Sequence, residues 1–238
     1  TGQIPIEIVN LINLRTLALF NNQLNGLIPG EIGSLTNLNF LWLYNNLFSG
    51  EIPEEIGNLN SLTSLYLNNN NLSGAIPHQI GNLTNLIKLN LSSNNFSGSI
   101  PSEIGNLTNL TSLNLSSNQF SGDIPIEVFN LLNLEGGIEP ALMGTVFYPG
   151  LDLSDNSLSG IIPEQIASFE KISSIDLSNN QLAGSLPVGL YSLDSLQSLN
   201  LSNNSLTGEI SAEIGNLSSL EGITTYAHNS VTQYDACL

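Results

Sequence analysis

The feature that most constrains this chain is a repeat of 24 residues. Asparagines recur at that interval from Asn22 to Asn118 and again from Asn156 to Asn204. A glycine follows each of them by four positions, and a proline follows most of them by seven. The unit reads LxxLxLxxNxLxGxIPxxIGxLxx, in eight copies after a partial first copy. Because self-similarity at a period of about 20–50 residues is the signature of repeat architectures, the chain is an array of small units.

Each part of the unit has a structural reason. The alternating leucines of LxxLxL predict a short strand with one buried face. The asparagine stands where the chain leaves that strand, and its amide can satisfy backbone groups of its own and the neighbouring turn in a buried ladder. A single coil cannot bury its own leucines, so the coils must stack. The repeat therefore predicts an α/β repeat fold, a right-handed solenoid with one parallel β-sheet on its concave face.

Two departures from the period divide the chain. Residues 1–220 are the predicted solenoid, interrupted at about 135–149, where the interval from Asn118 to Asn156 is 38 residues. The insertion holds Phe147 and Tyr148 and is expected on one face, either as a ligand-binding loop or as a tolerated insertion. Residues 221–238 lose the period and are interpreted as a degenerate tail. Because bare ends of an array are sticky, we expect either a fragment of a longer chain or head-to-tail self-association.

The charge of the chain restricts its partners. Its 238 residues include 20 Asp and Glu but 3 Lys and Arg, for a formal net charge of -17. Such a surface repels phosphate backbones, so nucleic acid is excluded as a partner. The lack of basic clusters argues against direct membrane contact. The only cysteine, Cys237, excludes an internal disulfide, and no role is predicted for it.

The strand pattern places large aromatic side chains on the solvent side of the first three coils. Exposed aromatic groups of this size favour interfaces, and the alternative is that they pack sideways or lie under further coils. These residues are Phe20, Phe40, Trp42, Tyr44 and Tyr66. We interpret them as a recognition patch.

The same columns become polar further along the chain. Lys88 comes first and is a further predicted ligand-binding residue of the concave face. It is followed by short Asn and Ser side chains, and then by Asp152 and Asp176 on adjacent strands. The two acids are either a site for a cation or a basic ligand group, or ordinary solvated residues.

The GxIP element after the asparagine makes the unit similar to the plant-type extracellular leucine-rich repeat. The resemblance covers about Gly2 to Leu220, and it is shared with ectodomains of receptor-like kinases, receptor-like proteins and polygalacturonase inhibitors. It implies an extracellular or cell-surface protein that recognises peptides, small hormones or proteins, without catalysis in the repeats. The sequons fit a secreted glycoprotein. We expect glycans on the coil-edge positions before the strand positions; the coil-edge positions are Asn82, Asn106 and Asn216.

These observations lead to one predicted function and two alternatives. His78 and His228 form no triad with a serine, so we expect no enzyme, no cofactor and no metal site. The predicted function is a non-catalytic extracellular recognition module that binds a peptide or protein ligand along the concave face, with a cationic ligand as one option. The first alternative is a self-assembling filament or surface-layer protein stacked through uncapped ends. The second is an ice- or polysaccharide-binding repeat protein.

Overall fold

The computed structural model describes residues 1–141, 144–148, 150–225 and 230–232. The chain winds into nine successive coils, which we number by the strands of the largest sheet. That sheet, here called the inner sheet, is parallel throughout. Its strands are Thr16–Ala18, Phe40–Trp42, Ser64–Tyr66, Lys88–Asn90, Ser112–Asn114, Leu151–Asp152, Ser174–Asp176, Ser198–Asn200 and Gly222–Thr224.

The register of the inner sheet follows the sequence period. Leu41 pairs with Leu17 on one side and with Leu65 on the other, each 24 positions away. Across the insertion Leu113 pairs with Leu151, so the sheet continues without a gap. The solenoid and its parallel inner sheet, both predicted from the repeat, are confirmed.

A second line of parallel strands, not predicted from the sequence, follows the asparagine of each coil. Six strands form one sheet and three more continue it beyond Ile161, which bridges to Ala183. We call this line the outer strands. They are Asn25–Gly26, Leu47–Gly50, Asn71–Gly74, Asn95–Gly98, Gln119–Asp123, Ser157–Ser159, Ala183–Gly184, Ser205–Glu209 and Ser230–Thr232. Their glycines require the left-handed region, with φ of 77° at Gly50 and 78° at Gly74.

In the described residues every helix is a 3₁₀ helix of five residues. Eight of the nine follow directly on a proline, which is the N-cap in extended conformation and whose carbonyl accepts the first hydrogen bond of the helix, as Pro29 does from Ile32 at 3.0 Å. The last helix follows Ser211, whose hydroxyl accepts a hydrogen bond from the backbone of Glu213 instead. The helices are Ile6–Asn10, Gly30–Ser34, Glu54–Asn58, His78–Asn82, Ser102–Asn106, Ile126–Asn130, Glu164–Ser168, Val188–Ser192 and Ala212–Asn216.

One continuous apolar core runs through the coils, because the consensus Leu and Ile positions stack on their equivalents in the next coil. Leu41 and Leu65 have 0% of their surface exposed. The core column on the outer-strand side holds leucine or phenylalanine, and the rings of Phe96 and Phe120 stack there with centroids 6.2 Å apart. This packing holds each inner strand at a fixed height and so fixes the positions of its solvent-facing side chains.

The asparagine ladder predicted from the repeat is confirmed. The Asn94 amide donates to the carbonyls of Leu67, Leu91 and Ser92 at 3.0 to 3.2 Å. Its Oδ1 accepts from the backbone of Leu72 at 3.0 Å. Each such side chain thus joins two adjacent coils. The same pattern recurs at Asn46, Asn70, Asn118, Asn156, Asn180 and Asn204.

The insertion forms an antiparallel hairpin of the strands Gly137–Ala141 and Gly144–Tyr148. It leaves the solenoid after Glu135 and Gly136, whose amides donate to the carbonyl of Thr111 at 3.1 and 3.2 Å. It rejoins at Gly150, directly before the sixth inner strand. The hairpin therefore starts at the edge of the inner sheet where the strands begin.

The ninth inner strand and the last outer strand fall within the segment that the sequence pattern assigns to a tail. Gly222–Thr224 pairs with Ser198–Asn200, and Ser230–Thr232 pairs with Thr207 to Glu209. The coil architecture thus extends past residue 220. His228 and Cys237 lie outside the described residues.

Candidate ligand-binding face

Five aromatic side chains of the first three coils meet on the solvent side of the inner sheet. We call Phe20, Phe40, Trp42, Tyr44 and Tyr66 the aromatic cluster. Its rings form two stacks. Phe20 and Tyr44 lie 4.6 Å apart at an interplanar angle of 3°, and Trp42 and Tyr66 lie 6.2 Å apart at 17°.

Trp42 joins the members of the cluster. Its ring lies 5.3 Å from that of Phe40 and 6.3 Å from that of Phe20, while Tyr44 meets Tyr66 edge-on at 6.2 Å. The indole Nε1 donates a hydrogen bond to the Ser64 hydroxyl at 2.9 Å, which fixes the ring on the third strand. Phe40 is 37% exposed and the other four rings are half-buried. The rings hold one another in place and keep part of their surface open to solvent, so little side-chain freedom is lost when a ligand covers them.

Lys88 lies on the fourth inner strand beside this cluster. It is paired in register with Ser64, which is paired in turn with Phe40. The side chain is half-buried, and desolvation lowers the pKa of its ammonium group. The fourth inner strand thus carries a basic residue between the three strands of the aromatic cluster and the polar residues of the fifth strand.

The polar columns repeat one hydrogen-bonded pair. Asn114 Oδ1 accepts from the backbone N–H of Ser116 at 2.9 Å and from its hydroxyl at 2.7 Å. Asn90 with Ser92 and Asn200 with Ser202 have the same arrangement. The amide nitrogens of these asparagines therefore form the polar part of the face.

Asp152 and Asp176 occupy the asparagine position of this pair in the sixth and seventh coils. They are register partners on adjacent strands, as the sequence predicts. Each carboxylate accepts from the serine two positions on, and Asp176 also accepts from Asn200 Nδ2 at 3.0 Å. Burial raises the pKa of Asp152 most, the Asp176 charge raises it further, and the Ser154 and Ser116 hydrogen bonds oppose the rise.

The remaining predicted positions belong to other elements. Asn82, Asn106 and Asn216 end their 3₁₀ helices and are exposed. The strand sequon residue Asn114 is half-buried with its Oδ1 engaged. Phe147 and Tyr148 belong to the second strand of the hairpin, where Phe147 pairs with Ile138.

The structure also bears on metal sites and on membrane-spanning helices. Among the described residues no group of three or more His, Cys, Asp or Glu side chains could hold a metal ion. No helix in those ranges has the length and apolar character needed to cross a membrane.

The family follows from comparison with known proteins. A family model described as a leucine-rich repeat region matches residues 13–135. The model for the single leucine-rich repeat matches residues 150–169, 171–193 and 195–217. The chain is a leucine-rich repeat protein of the plant type. A search of curated proteins gave no significant match.

Solved structures of the same family are similar over nearly the whole chain. The plant peptide hormone receptor RGFR1, solved in complex with RGF2, is 34% identical with a TM-score of 0.79 over 97% of this chain. The ectodomain of the Arabidopsis receptor kinase HAESA, solved with an extended IDA peptide hormone, is 33% identical with a TM-score of 0.83 over 100%. A plant ice-binding protein is 32% identical with a TM-score of 0.69 over 98%. This leucine-rich repeat chain spans 38%, 37% and 78% of those three chains, respectively.

The sequence alone located the aromatic cluster and the acid pair of this leucine-rich repeat protein, and the structure places each on the inner face. The sequence also predicted Lys88 as a ligand-binding residue of this face, because it lies 24 positions after Ser64 and 48 after Phe40, in one column of the repeat. The half-burial of its side chain does not follow from the period.

Proposed function

We propose that this leucine-rich repeat protein is a non-catalytic extracellular recognition module that binds an extended peptide along its inner face. The observation that carries the proposal is the aromatic cluster, a continuous group of partly exposed rings on a rigid sheet. Tyrosine and tryptophan supply much of the binding energy at interfaces because they offer large, stiff contact areas. The sheet fixes their spacing, so they form a preformed site.

The face beside the cluster suits a peptide backbone. Asn90 and Asn114 use their Oδ1 atoms internally, which turns their amide nitrogens into donors of fixed orientation. An extended peptide carries a carbonyl acceptor at every residue, and its side chains alternate between two sides. Such a ligand can hydrogen-bond to the polar columns while it packs an apolar side chain on the rings.

The ligands of two similar structures support this proposal. RGFR1 was solved with RGF2, and HAESA with a peptide hormone. Because the chain spans about a third of each of those receptors, any activity of a whole receptor is a proposal for a longer protein. An extracellular location is proposed on the same ground.

Selection and calorimetry test the proposal. Peptides selected from a displayed random library would be measured by titration calorimetry against the wild type, Trp42→Ala and Tyr66→Ala. Each variant should lose roughly fivefold or more in affinity, as expected for an interface anchor worth about 1 kcal/mol or more. Ile161→Ala is the control, because Ile161 is 63% exposed but lies among the outer strands. Unchanged affinity in both aromatic variants would refute the proposal.

A second candidate function, ice binding, is favoured by one observation. The plant ice-binding protein is the relative of which this chain spans the largest share among the three described, 78%. The regular asparagine and serine columns offer a repeating polar surface, with Asn45 Nδ2 donating to Asn21 Oδ1 at 2.6 Å and Asn203 repeating this contact with Asn179. An ice-recrystallisation assay decides the point: inhibition that persists in Trp42→Ala would support ice binding, and no inhibition would exclude it.

A further inference from the structure

The only polar side-chain atom of Trp42 is engaged within the protein. Its Nε1 donates to the Ser64 hydroxyl at 2.9 Å, and Ser64 is 6% exposed although it lies on the solvent-facing side of its strand. An indole donates through this one nitrogen and has no acceptor. The part of the Trp42 side chain that solvent reaches is therefore apolar.

The small size of Ser64 suits this contact. Ser64 is paired in register with Phe40 on one side and with Lys88 on the other, so a short side chain lies between two long ones. Trp42 comes two positions after Phe40, and its ring reaches the Ser64 hydroxyl on the adjacent strand. Ser64 thus leaves room for the indole and also supplies the acceptor for its N–H.

The two phenylalanines beside Trp42 add no hydrogen-bonding atom. The rings of Phe40 and Phe20 lie 5.3 and 6.3 Å from that of Trp42, and a phenylalanine side chain has neither donor nor acceptor. Phe40 is 37% exposed, and the other two rings are half-buried. These three rings form an apolar surface that is partly open to solvent.

Such a surface discriminates between ligand side chains. A polar side chain placed on the three rings would lose hydration and gain no hydrogen bond from them, which costs a factor of about ten or more in affinity. An apolar side chain has no such cost, and burial of its own surface favours binding. The discrimination depends on the indole N–H, because a free N–H would offer a partner to a polar ligand group.

We infer that Ser64 is a positioning residue that sets the specificity of the aromatic cluster. Because Ser64 engages the indole N–H, Trp42 acts as an apolar anchor and selects a peptide side chain without hydrogen-bonding groups, such as that of leucine, valine or phenylalanine. This rests on the proposed peptide-binding function and names the kind of ligand residue that the cluster takes.

A comparison of matched peptides tests the inference. Peptides selected from the displayed random library would be scanned for the apolar position that contacts Trp42. At that position a change to alanine lowers the affinity for the wild type but not for Trp42→Ala. Leucine there would then be compared with asparagine, which is similar in shape but polar.

Both peptides would be titrated against the wild type, Ser64→Ala and Ser174→Ala. Ser174 is the matched control, because it is also the first residue of an inner strand and is 8% exposed. It lies four strands from Ser64 in the inner sheet, away from the aromatic cluster. Circular dichroism would show that both variants are folded.

The leucine peptide should bind the wild type at least about tenfold more tightly than the asparagine peptide. In Ser64→Ala the freed N–H can donate to the asparagine, so this ratio should fall at least about threefold, whereas Ser174→Ala should keep it. A merely structural role of Ser64 would weaken both peptides equally and leave the ratio unchanged. That result, or a wild-type preference for the asparagine peptide, would overturn the inference.

Two further measurements do not depend on how well Ser64→Ala binds peptides. Trp42 is the only tryptophan, so its emission should move to longer wavelength in Ser64→Ala, where water replaces the hydroxyl, and stay unchanged in Ser174→Ala. Trp42→Phe removes the N–H but keeps an aromatic ring, so it should retain the wild-type ratio of the two peptides. Unchanged emission in Ser64→Ala, or a lost ratio in Trp42→Phe, would contradict the role given to Ser64.

The inference and the proposed function fail separately. If peptides lose affinity with Trp42→Ala but their ratio does not respond to Ser64→Ala, the proposed function stands without the inference. The same holds if they respond to Tyr66→Ala alone. If no selected peptide responds to either aromatic variant, both fail.

Discussion

At the scale of single residues, the ladder asparagines make hydrogen bonds to backbone groups that would otherwise have no partner. Each turn leaves carbonyl and N–H groups that no strand or helix satisfies, and one buried amide serves several of them across two coils. Asn94, 8% exposed, is the clearest instance, with three carbonyl acceptors and one N–H donor. The strict recurrence of asparagine therefore has a structural cause that is separate from ligand binding.

This predicts a large difference between two equivalent positions. Asn94→Ala should destabilise the protein by about 3 kcal/mol or more, because each buried polar group left without a partner costs about 1–3 kcal/mol. Asn22→Ala should cost about 1 kcal/mol or less, since the Asn22 side chain is exposed and its Nδ2 donates within its own turn, to the carbonyls of Leu19 and Phe20. Urea unfolding of both variants measures the difference, and equal losses would contradict the role given to the ladder.

The pKa of Asp152 predicts the direction in which stability changes with pH. The raised pKa means that the folded state disfavours the ionised carboxylate of Asp152. The protonated carboxyl therefore stabilises the fold fully below the ordinary pKa of 3.8, and this stabilisation is lost as the pH rises through the pKa of the folded state. Asp152→Asn keeps an oxygen for Ser154, as Asn114 does for Ser116. It should stabilise the protein at pH 7 by about 0.2–1 kcal/mol, the usual range for a cross-strand pair of like charges.

Urea unfolding of Asp152→Asn near pH 7 and again below the ordinary pKa of 3.8 would check that sign. The gain should disappear in acid, where the aspartic acid is neutral as well. A variant that is less stable than the wild type at neutral pH would show instead that the carboxylate is required.

At the scale of elements, four consecutive 3₁₀ helices lie so close to the next coil that glycine is needed at their fourth position, at Gly33, Gly57, Gly81 and Gly105. A Cβ added at Gly57 would lie 2.6 Å from the carbonyl oxygen of Gln79 in the next coil. At Gly215, the same position of the last helix, no atom of the described residues lies within 4 Å of an added Cβ. The two glycines therefore separate the effect of contact between coils from the effect of the helix conformation.

Gly57→Ala should therefore cost about 1–3 kcal/mol, as overpacking does, because backbone must move. Gly215→Ala should change stability by less than about 0.5 kcal/mol. Thermal and urea unfolding of the two variants test this. A similar cost at both positions would indicate that helix conformation, and not the distance between coils, requires the glycine.

The secondary-structure elements differ in how far the sequence predicts them. The inner strands could be predicted because Leu113 and Leu115 alternate with solvent-facing residues. The outer strands could not, since segments such as Asn71–Gly74 are short and their pairing comes from stacking between coils. The insertion has no equivalent in the other coils, so no period predicts the hairpin of Gly137–Ala141 and Gly144–Tyr148.

At the scale of the whole molecule, the overall charge hides the property that matters most for a ligand. Counting residues gives an acidic protein, whereas the inner face of the first three coils carries the aromatic cluster. The aromatic cluster could be predicted because strand alternation assigns a face to Trp42 and Tyr66. The half-burial of Lys88 could not be predicted, because it depends on how the coils pack around its side chain.

Self-association through the ends stays a prediction from the sequence. In the first coil Leu11 is 53% exposed, although its equivalent in the next coil, Leu35, has 0% exposed. Head-to-tail stacking would cover this apolar surface and propagate as a filament. Electron microscopy over a dilution series should then show filaments that shorten on dilution and are lost in Leu11→Lys, whereas single particles at every concentration would exclude stacking.

The central claim is that the aromatic cluster binds a peptide, and the emission of Trp42 tests it most directly. Trp42 is the only tryptophan in the chain, so its fluorescence reports on the cluster alone. Titration with a selected peptide that lacks tryptophan should shift this emission saturably, with a midpoint equal to the Kd from calorimetry. Calorimetric binding that leaves the Trp42 emission unchanged would contradict the account.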